Sequence, residues 1–281
     1  MTYPVRLGVF GAGQAFRQLY EPAIALRPEL TVVATADPVA SADFASPLEL
    51  LAGRELDAVI VLSPARLHAE QVALATDRGL PVLVEKPPAV SQSEVDAWGR
   101  PELVTPAFSR RYWKPFRQPR PNCRRFVYRI VTNPETWGAQ HVESPVRDLL
   151  PHAADLATWL SGSSISSIVE VSRTSLRVSG AFNLSNGARF DWHLQHGTAY
   201  TESLVCDGKS MPSPVPGRLG ELLRRVRKQP TEAVGGIAAL LADWVASFDG
   251  PRPASLPGID AVRSCAAAIE TVEGVASVIP T

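Results

Sequence analysis

In RDLLPHAADLATWL, Asp148, His152 and Asp155 are spaced by four and then three residues, which puts all three on one face of a helix. A carboxylate one turn from an imidazole can orient the ring and stabilise its protonated form, as general acid–base chemistry requires. Pro151 has no N–H and suits only a first turn, so the helix is predicted to begin near Arg147 or Asp148, with the Asp148 carboxylate at its positive end. A histidine on an amphipathic helix is often structural, and the chemical reading gains weight from Lys86. This lysine ends the apolar run Pro81 to Val84 in VLVEKPP. At the carboxyl end of a parallel strand an ammonium is aimed into the ligand crevice, where it can hydrogen-bond a substrate oxygen. The competing reading is a surface lysine in a turn.

A third group lies at the start, in GVFGAGQAF. Gly11 permits a tight turn after a strand, and Gly13 lets the backbone approach a pyrophosphate, whose charge the following helix start favours. Phe16 stands where a third glycine would complete the dinucleotide fingerprint. Asp37 follows the second strand, 21 residues beyond Phe16, where a carboxylate accepts hydrogen bonds from the adenosine ribose hydroxyls and repels a 2′-phosphate. NAD is therefore preferred, with NADP as the alternative. Asp37 also suits a turn before Pro38.

These groups need a scaffold that alternates strand and helix. Val5 to Phe10, Leu30 to Ala36, Ala58 to Leu62 and Pro81 to Val84 read as strands of a parallel sheet, with Leu103 to Phe108 as a further strand. A helix is predicted from Gln14 to about Leu26, kinked at Pro22, and another from Leu67 to Arg78, ended by Gly79. Between the second and third strands a short helix, Pro47 to Ala52, replaces a full crossover and covers that sheet face thinly. SRRYWKPFRQPRPN marks the junction, giving a dinucleotide-binding domain over 1–108 and a substrate domain over 109–281. In the second domain a strand, Arg125 to Thr132, and a helix near Leu149 to Leu160 precede alternating runs at Ser167 to Val171, Ser175 to Leu184, Ala188 to His196 and Thr201 to Cys206. The short gaps between them imply an antiparallel sheet. Helices over Thr231 to Phe248 and Pro257 to Val275 close the chain. The fold class is an α/β Rossmann domain with a C-terminal α+β domain built on a mostly antiparallel open sheet.

Ser63, Pro64 and His68, the helix ended by Gly79, and the strand running into Glu85, Lys86 and Pro87 together resemble the glucose-fructose oxidoreductase, inositol dehydrogenase and rhizopine catabolism family (Gfo/Idh/MocA). The glutamate-lysine-proline step is a hallmark of that family, and Asp148, His152 and Asp155 fit its D-x-x-x-H-x-x-D pattern. The chain departs from it at Phe16, and at Glu143 to Val146, where the family is glycine-rich. The resemblance implies hydride transfer between nicotinamide and a carbinol or carbonyl carbon of a sugar, cyclitol or sugar nucleotide. It assigns catalysis to Lys86, Asp148 and His152, and cofactor binding to Gly11, Gly13, Gln14, Ala15, Phe16, Asp37, Ser63, Pro64, His68, Glu85, Lys86, Arg111 and Trp113. It also implies a cis Lys86–Pro87 bond and a homo-oligomer formed through the open sheet. Imine or tetrapyrrole reduction occurs in the same family, and a non-catalytic nucleotide-binding sensor or assembly protein is the rival from another class. Arg110 to Trp113 fit interdomain packing as well as a cofactor cleft.

Composition narrows the partners. With 28 basic and 28 acidic residues the formal charge is zero, which argues against nucleic acid or an anionic membrane as partner and leaves a small-molecule substrate. The basic run Arg224, Arg225, Arg227 and Lys228 reads as a solvated helix face. Cys123, Cys206 and Cys265 are far apart and lack metal-ligand spacing, so they are expected to be isolated thiols, with no metal site. Without a secretory pattern at the start, or an apolar run of about eighteen residues, a cytoplasmic protein is expected.

Overall fold

The computed structural model describes residues 4–137, 143–214, 217, 221, 222, 224, 226, 227 and 229–276. Two compact units divide the chain: Met1–Tyr112 with Ala233–Arg263, and Trp113–Glu232 with Ser264–Thr281. Residues 233–263, expected in the second domain, thus group with the first, so a single boundary at 108 does not describe the division.

The first unit is built on five parallel strands, β1 (Val5–Phe10), β2 (Leu30–Ala36), β3 (Ala58–Val61), β4 (Val82–Val84) and β5 (Val104–Pro106), in the order β2-β1-β3-β4-β5. Every residue of β3 and β4 is fully buried, as continuous Val/Ile/Leu runs covered on both faces should be. The strand order reverses beside β1, which opens a crevice at the carboxyl ends of β1 and β3. After β1 the helix is not uniform. A π-helix, Phe16–Tyr20, runs into α1 (Glu21–Ile24), with the Glu21 amide bonded to the Phe16 carbonyl. The wider turn comes just before Pro22, whose ring lacks an amide and clashes with a carbonyl one turn back in a tighter helix. The abbreviated crossover is α2 (Pro47–Gly53), capped by Ser46. A 3-10 turn, Ala65–Leu67, leads into α3 (His68–Thr76), and α4 (Gln92–Asp96) follows β4.

The recovered segment supplies α6 (Glu232–Asp249). Its Ile237, Leu240, Leu241 and Trp244 join a core with Val5, Leu7, Val9, Phe16 and Tyr20. Phe16 is 8% exposed in that core, so the helix after β1 packs through an aromatic ring where a glycine would have let it lie closer.

The second unit carries a six-stranded sheet in the order β11-β10-β6-β9-β8-β7, formed by β6 (Arg125–Thr132), β7 (Ile165–Arg173), β8 (Arg177–Leu184), β9 (Arg189–His196), β10 (Thr201–Cys206) and β11 (Lys209–Ser210). All neighbours are antiparallel except β6 and β9, which pair parallel. One face is lined by Phe126, Tyr128, Phe182, Phe190 and Trp192, and α5 (Pro145–Ser161) packs on this sheet. Gly180 is required there, because a Cβ at that position would lie 2.5 Å from the Trp192 ring on the paired strand.

α5 begins earlier than Pro151 suggested. Ser144 caps it, accepting from the Arg147 amide at 3.4 Å, and Pro145 takes the first helical position. A capping serine followed by proline is the stronger start signal. Pro151 therefore sits inside the helix, and packing of the buried residues around it offsets one lost backbone bond. The last helix, α7 (Ile259–Glu273), ends with Glu273 holding the Arg147 guanidinium through two bonds of 2.7 and 3.1 Å.

The isolated-thiol expectation fails for two of the three cysteines. Cys123 and Cys206 are disulfide-bonded, with Cα atoms 6.0 Å apart, and Cys265, outside this pair, is fully buried. Cys206 is in register with Phe126 across β10 and β6, which places it beside Cys123 despite 83 residues of separation. Arg225 and Lys228 of the basic run lie outside the described residues.

Candidate functional site

At the carboxyl end of β1 the chain makes the turn that Gly11 permits. Its φ is +97°, and a Cβ there would meet the Ser63 nitrogen at 2.6 Å, so the first loop lies directly on the backbone that follows β3. A Cβ at Gly13 would meet nothing within 4 Å, so its open side is room a ligand can use. Gly13, Gln14, Arg17, Gln18, Val39, Ala40 and Ser41 line a cleft of about 600 Å³. Ala15 lies in the same turn, and Phe16 turns inward to the core.

Asp37 holds this cleft together. One carboxylate oxygen accepts from the Val39 and Ala40 amides at 2.9 and 2.8 Å, and the other from the Ala12 amide at 3.0 Å. Partial burial works against its charge, but the amides of Ala40, Val39 and Ala12 and the nearby Arg17 outweigh it and hold the carboxyl below its ordinary value. The turn-forming reading of Asp37 is therefore observed, and the carboxylate stays ionised beside the cleft. Open space over Gly13, a helix start and an ionised carboxylate after β2 fit a dinucleotide's pyrophosphate and ribose.

The loop after β4 is braced from two sides. The Lys86–Pro87 bond is cis. Glu85 accepts from the buried Tyr20 hydroxyl at 2.7 Å and from the Lys86 amide at 2.9 Å. Burial first, and then Glu85 itself, push the Tyr20 hydroxyl well above its ordinary pKa. His68 is 1% exposed, with Nδ1 2.7 Å from the Pro87 carbonyl and Nε2 2.7 Å from the Ser63 carbonyl. Burial lowers its pKa against the pull of those carbonyls, so the neutral ring donates to one of them. The ring thus lies between the Ser63 carbonyl after β3 and the Pro87 carbonyl after β4. Ser63 itself donates to Gln71 at 2.7 Å, Pro64 caps the 3-10 turn, and Lys86 is half-buried.

In the second unit, α5 presents Asp148 in its first turn, with His152 and Asp155 buried one and two turns on. Asp148 also meets a residue that the sequence reading left inside a strand. The Nε2 of His196 lies 2.9 Å from Asp148 Oδ2, and His196 is 5% exposed at the end of β9. No motif marks His196; the parallel pairing of β6 with β9, which no short-range signal announces, brings it to the helix. Arg17 in the first unit's cleft and Tyr20 beneath Glu85 were missed for a related reason, since both lie on a helix whose π turn changes which residues share a face. Arg111 is buried in the first unit, and Trp113, buried in the second, stacks on Phe116 with ring centroids 6.5 Å apart.

Comparison with known proteins agrees with this architecture. Residues 5–100 match the model of the GFO_IDH_MocA family, described as an oxidoreductase family with an NAD-binding Rossmann fold. Inositol 2-dehydrogenase 3 of Saccharopolyspora erythraea is 27% identical over 94% of this chain and 86% of its own length. Among solved structures, UDP-N-acetylglucosamine 3-dehydrogenase GnnA from Acidithiobacillus ferrooxidans superposes with a TM-score of 0.74 at 18% identity, covering 98% of both chains. The WlbA (WbpB) dehydrogenase from Thermus thermophilus, solved with NAD and UDP-GlcNAcA, gives 0.71 at 17% identity, covering 99% of this chain and 97% of its own. Among the described residues, no helix is long and apolar enough to cross a membrane.

Proposed function

From the premise that the chain belongs to the Gfo/Idh/MocA family of NAD-binding oxidoreductases, we propose that it oxidises a carbinol, or reduces the matching carbonyl, on a cyclitol, sugar or sugar nucleotide, with NAD preferred over NADP. The observation that carries this reading is Asp148 and His152 one turn apart at the start of α5, in a chain of this family that also keeps Lys86 at the end of β4. Bound nicotinamide supplies a hydride acceptor or donor at C4. His152 exchanges the proton with the substrate oxygen, Asp148 orients the imidazole and stabilises its protonated form, and Lys86 hydrogen-bonds and polarises that oxygen. Gly11, Gly13, Gln14 and Ala15 cradle the pyrophosphate, and Asp37 faces the ribose.

Two further observations support the substrate class and the cofactor. Thr132 and His196 are in register at one end of the second sheet, and nearby Glu202 accepts from the Tyr128 hydroxyl at 2.5 Å and from the Tyr200 hydroxyl. Such a polar end suits a polyhydroxylated substrate better than an apolar one. The ionised Asp37 carboxylate opposes a 2′-phosphate. The open charged face of the second sheet, with Arg125 and Arg189 both paired to Asp191, is assigned to contact with further copies of the chain.

Titration of NAD and NADP by intrinsic fluorescence, followed by a screen of inositols, sugars and UDP-sugars for NADH formation, tests the proposal. Turnover on one of these, slowed about a hundred- to ten-thousand-fold in His152→Ala with NAD affinity retained, is the expected result. Nucleotide binding with no turnover on any of them would favour a sensor. A His152→Ala variant as fast as wild type would remove the assignment of the base.

A further inference from the structure

Asp148 is held on two sides by elements that leave little slack. On its own helix, the Ser144 cap and the doubly bonded Arg147–Glu273 pair fix the first turn of α5. Opposite, His196 is pinned by its backbone: its amide bonds to the Leu176 carbonyl at 2.9 Å, and the next amide, Gly197, bonds to the Thr132 carbonyl at 2.7 Å. The His196 ring, with its side chain 4% exposed, is shielded from solvent, and the Asp148 side chain it meets at 2.9 Å is 21% exposed. A hydrogen bond between two groups held this rigidly selects one orientation of the carboxylate.

From this geometry, and resting on the reading that Asp148 and His152 perform the proton transfer, we infer that His196 is the positioning residue for Asp148. Its Nε2–H donates to Oδ2, which fixes the plane of the carboxylate and so the orientation that Asp148 imposes on His152. His196 touches no reacting atom in this scheme. Its effect passes entirely through Asp148, which separates it from a histidine that only fills space beneath the helix.

That distinction is measurable by a double-mutant cycle, with NAD and either myo-inositol or UDP-N-acetylglucosamine as probe substrate. His196→Ala is expected to lower kcat by about 10- to 100-fold, the size of loss known for residues that orient the protein ligands of a metal ion, with the Kd for NAD unchanged. His196→Gln keeps an N–H donor and should recover most of that rate. In an Asp148→Ala background, His196→Ala should cost nothing further. Losses that multiply, or a Gln variant as slow as the Ala variant, overturn the inference.

The same four proteins, labelled with 15N-histidine, provide a readout that needs no turnover. The His152 imidazole signals should move in His196→Ala, move in Asp148→Ala, and move no further in the double variant. Independent, additive shifts overturn the inference, whichever sugar is the substrate. A His152→Ala variant with wild-type turnover would sink the acid–base reading alone, and the imidazole cycle would still report whether His196 acts on His152 through Asp148.

Discussion

The hydroxyl of Tyr20, fully buried in the helical turn after β1, donates to Glu85 Oε1 at 2.7 Å, and Glu85 Oε2 accepts from the Lys86 amide. One carboxylate therefore couples the helix of the dinucleotide loop to the backbone that carries the proposed catalytic lysine. The aromatic residues Phe16 and Tyr20 together replace the close glycine contact that the fingerprint lacks: one fills the core, and the other reaches across to β4.

Tyr20→Phe removes this donor while keeping the ring. A partly buried carboxylate that loses its partner costs about 1–3 kcal/mol, which for a chain of this size lowers Tm by roughly 2–4 °C per kcal/mol. The freed Glu85 also releases the Lys86 backbone, so kcat should fall more than the affinity for NAD does. Thermal denaturation together with steady-state kinetics would show both effects. A variant with unchanged Tm and kcat would show that the brace has no consequence.

Gly11 and Gly13 should respond differently to the same substitution. Gly11→Ala combines a positive φ with a Cβ 2.6 Å from backbone, and is expected to destabilise or misfold the first unit. Gly13→Ala adds a methyl to open space, so Tm should stay at the wild-type value while NAD binding weakens by about tenfold or more, some 1.4 kcal/mol. Equal NAD affinity in Gly13→Ala and wild type, measured by fluorescence titration, would place the pyrophosphate elsewhere.

Asp37→Ala deletes the acceptor of three amides and the charge that opposes a 2′-phosphate. The expected result is weaker NAD binding, with the preference for NAD over NADP narrowed by about tenfold. pH dependence gives a second readout. The folded-state pKa lies below the ordinary 3.8, so the stabilisation is present above that value and is lost as pH falls through the lower one. Asp37→Asn should therefore flatten part of the acid limb of a plot of stability against pH. An acid limb of unchanged slope would mean the amide contacts do not hold in solution.

The parallel sheet, the strands that form it and the short crossover were legible because continuous apolar runs and loop lengths are local signals. The Gly11 turn and the carboxylate after β2 were legible for the same reason. What escaped depends on register or on competing signals. Pro151 suggested a helix start, but Ser144 and Pro145, seven and six residues earlier, decide it. His196 and the Cys123–Cys206 pair are set by strand pairings across 64 and 83 residues, from Thr132 to His196 and between the two cysteines, and no spacing rule reaches that far. The return of α6 to the first core was hidden because an amphipathic helix carries no label for the sheet it will cover.

The Cys123–Cys206 bond yields the last prediction, and it concerns stability. It joins the chain just before β6 to the end of β10, closing a loop of 83 residues whose freedom in the unfolded state is thereby reduced. The chain-entropy relation gives about 4–5 kcal/mol for a loop of this length, an upper figure because residual structure in the unfolded chain already removes part of that freedom. Denatured, unreduced protein should titrate with one thiol, Cys265, and reduced protein with three. Reduction, or Cys206→Ser, should lower Tm. It should leave NAD affinity unchanged, since both cysteines belong to the second unit and the Gly13 cleft is built from residues of the first. Three reactive thiols in protein denatured under non-reducing conditions would show that the pair does not bond, and the loop-closure stabilisation would then be absent.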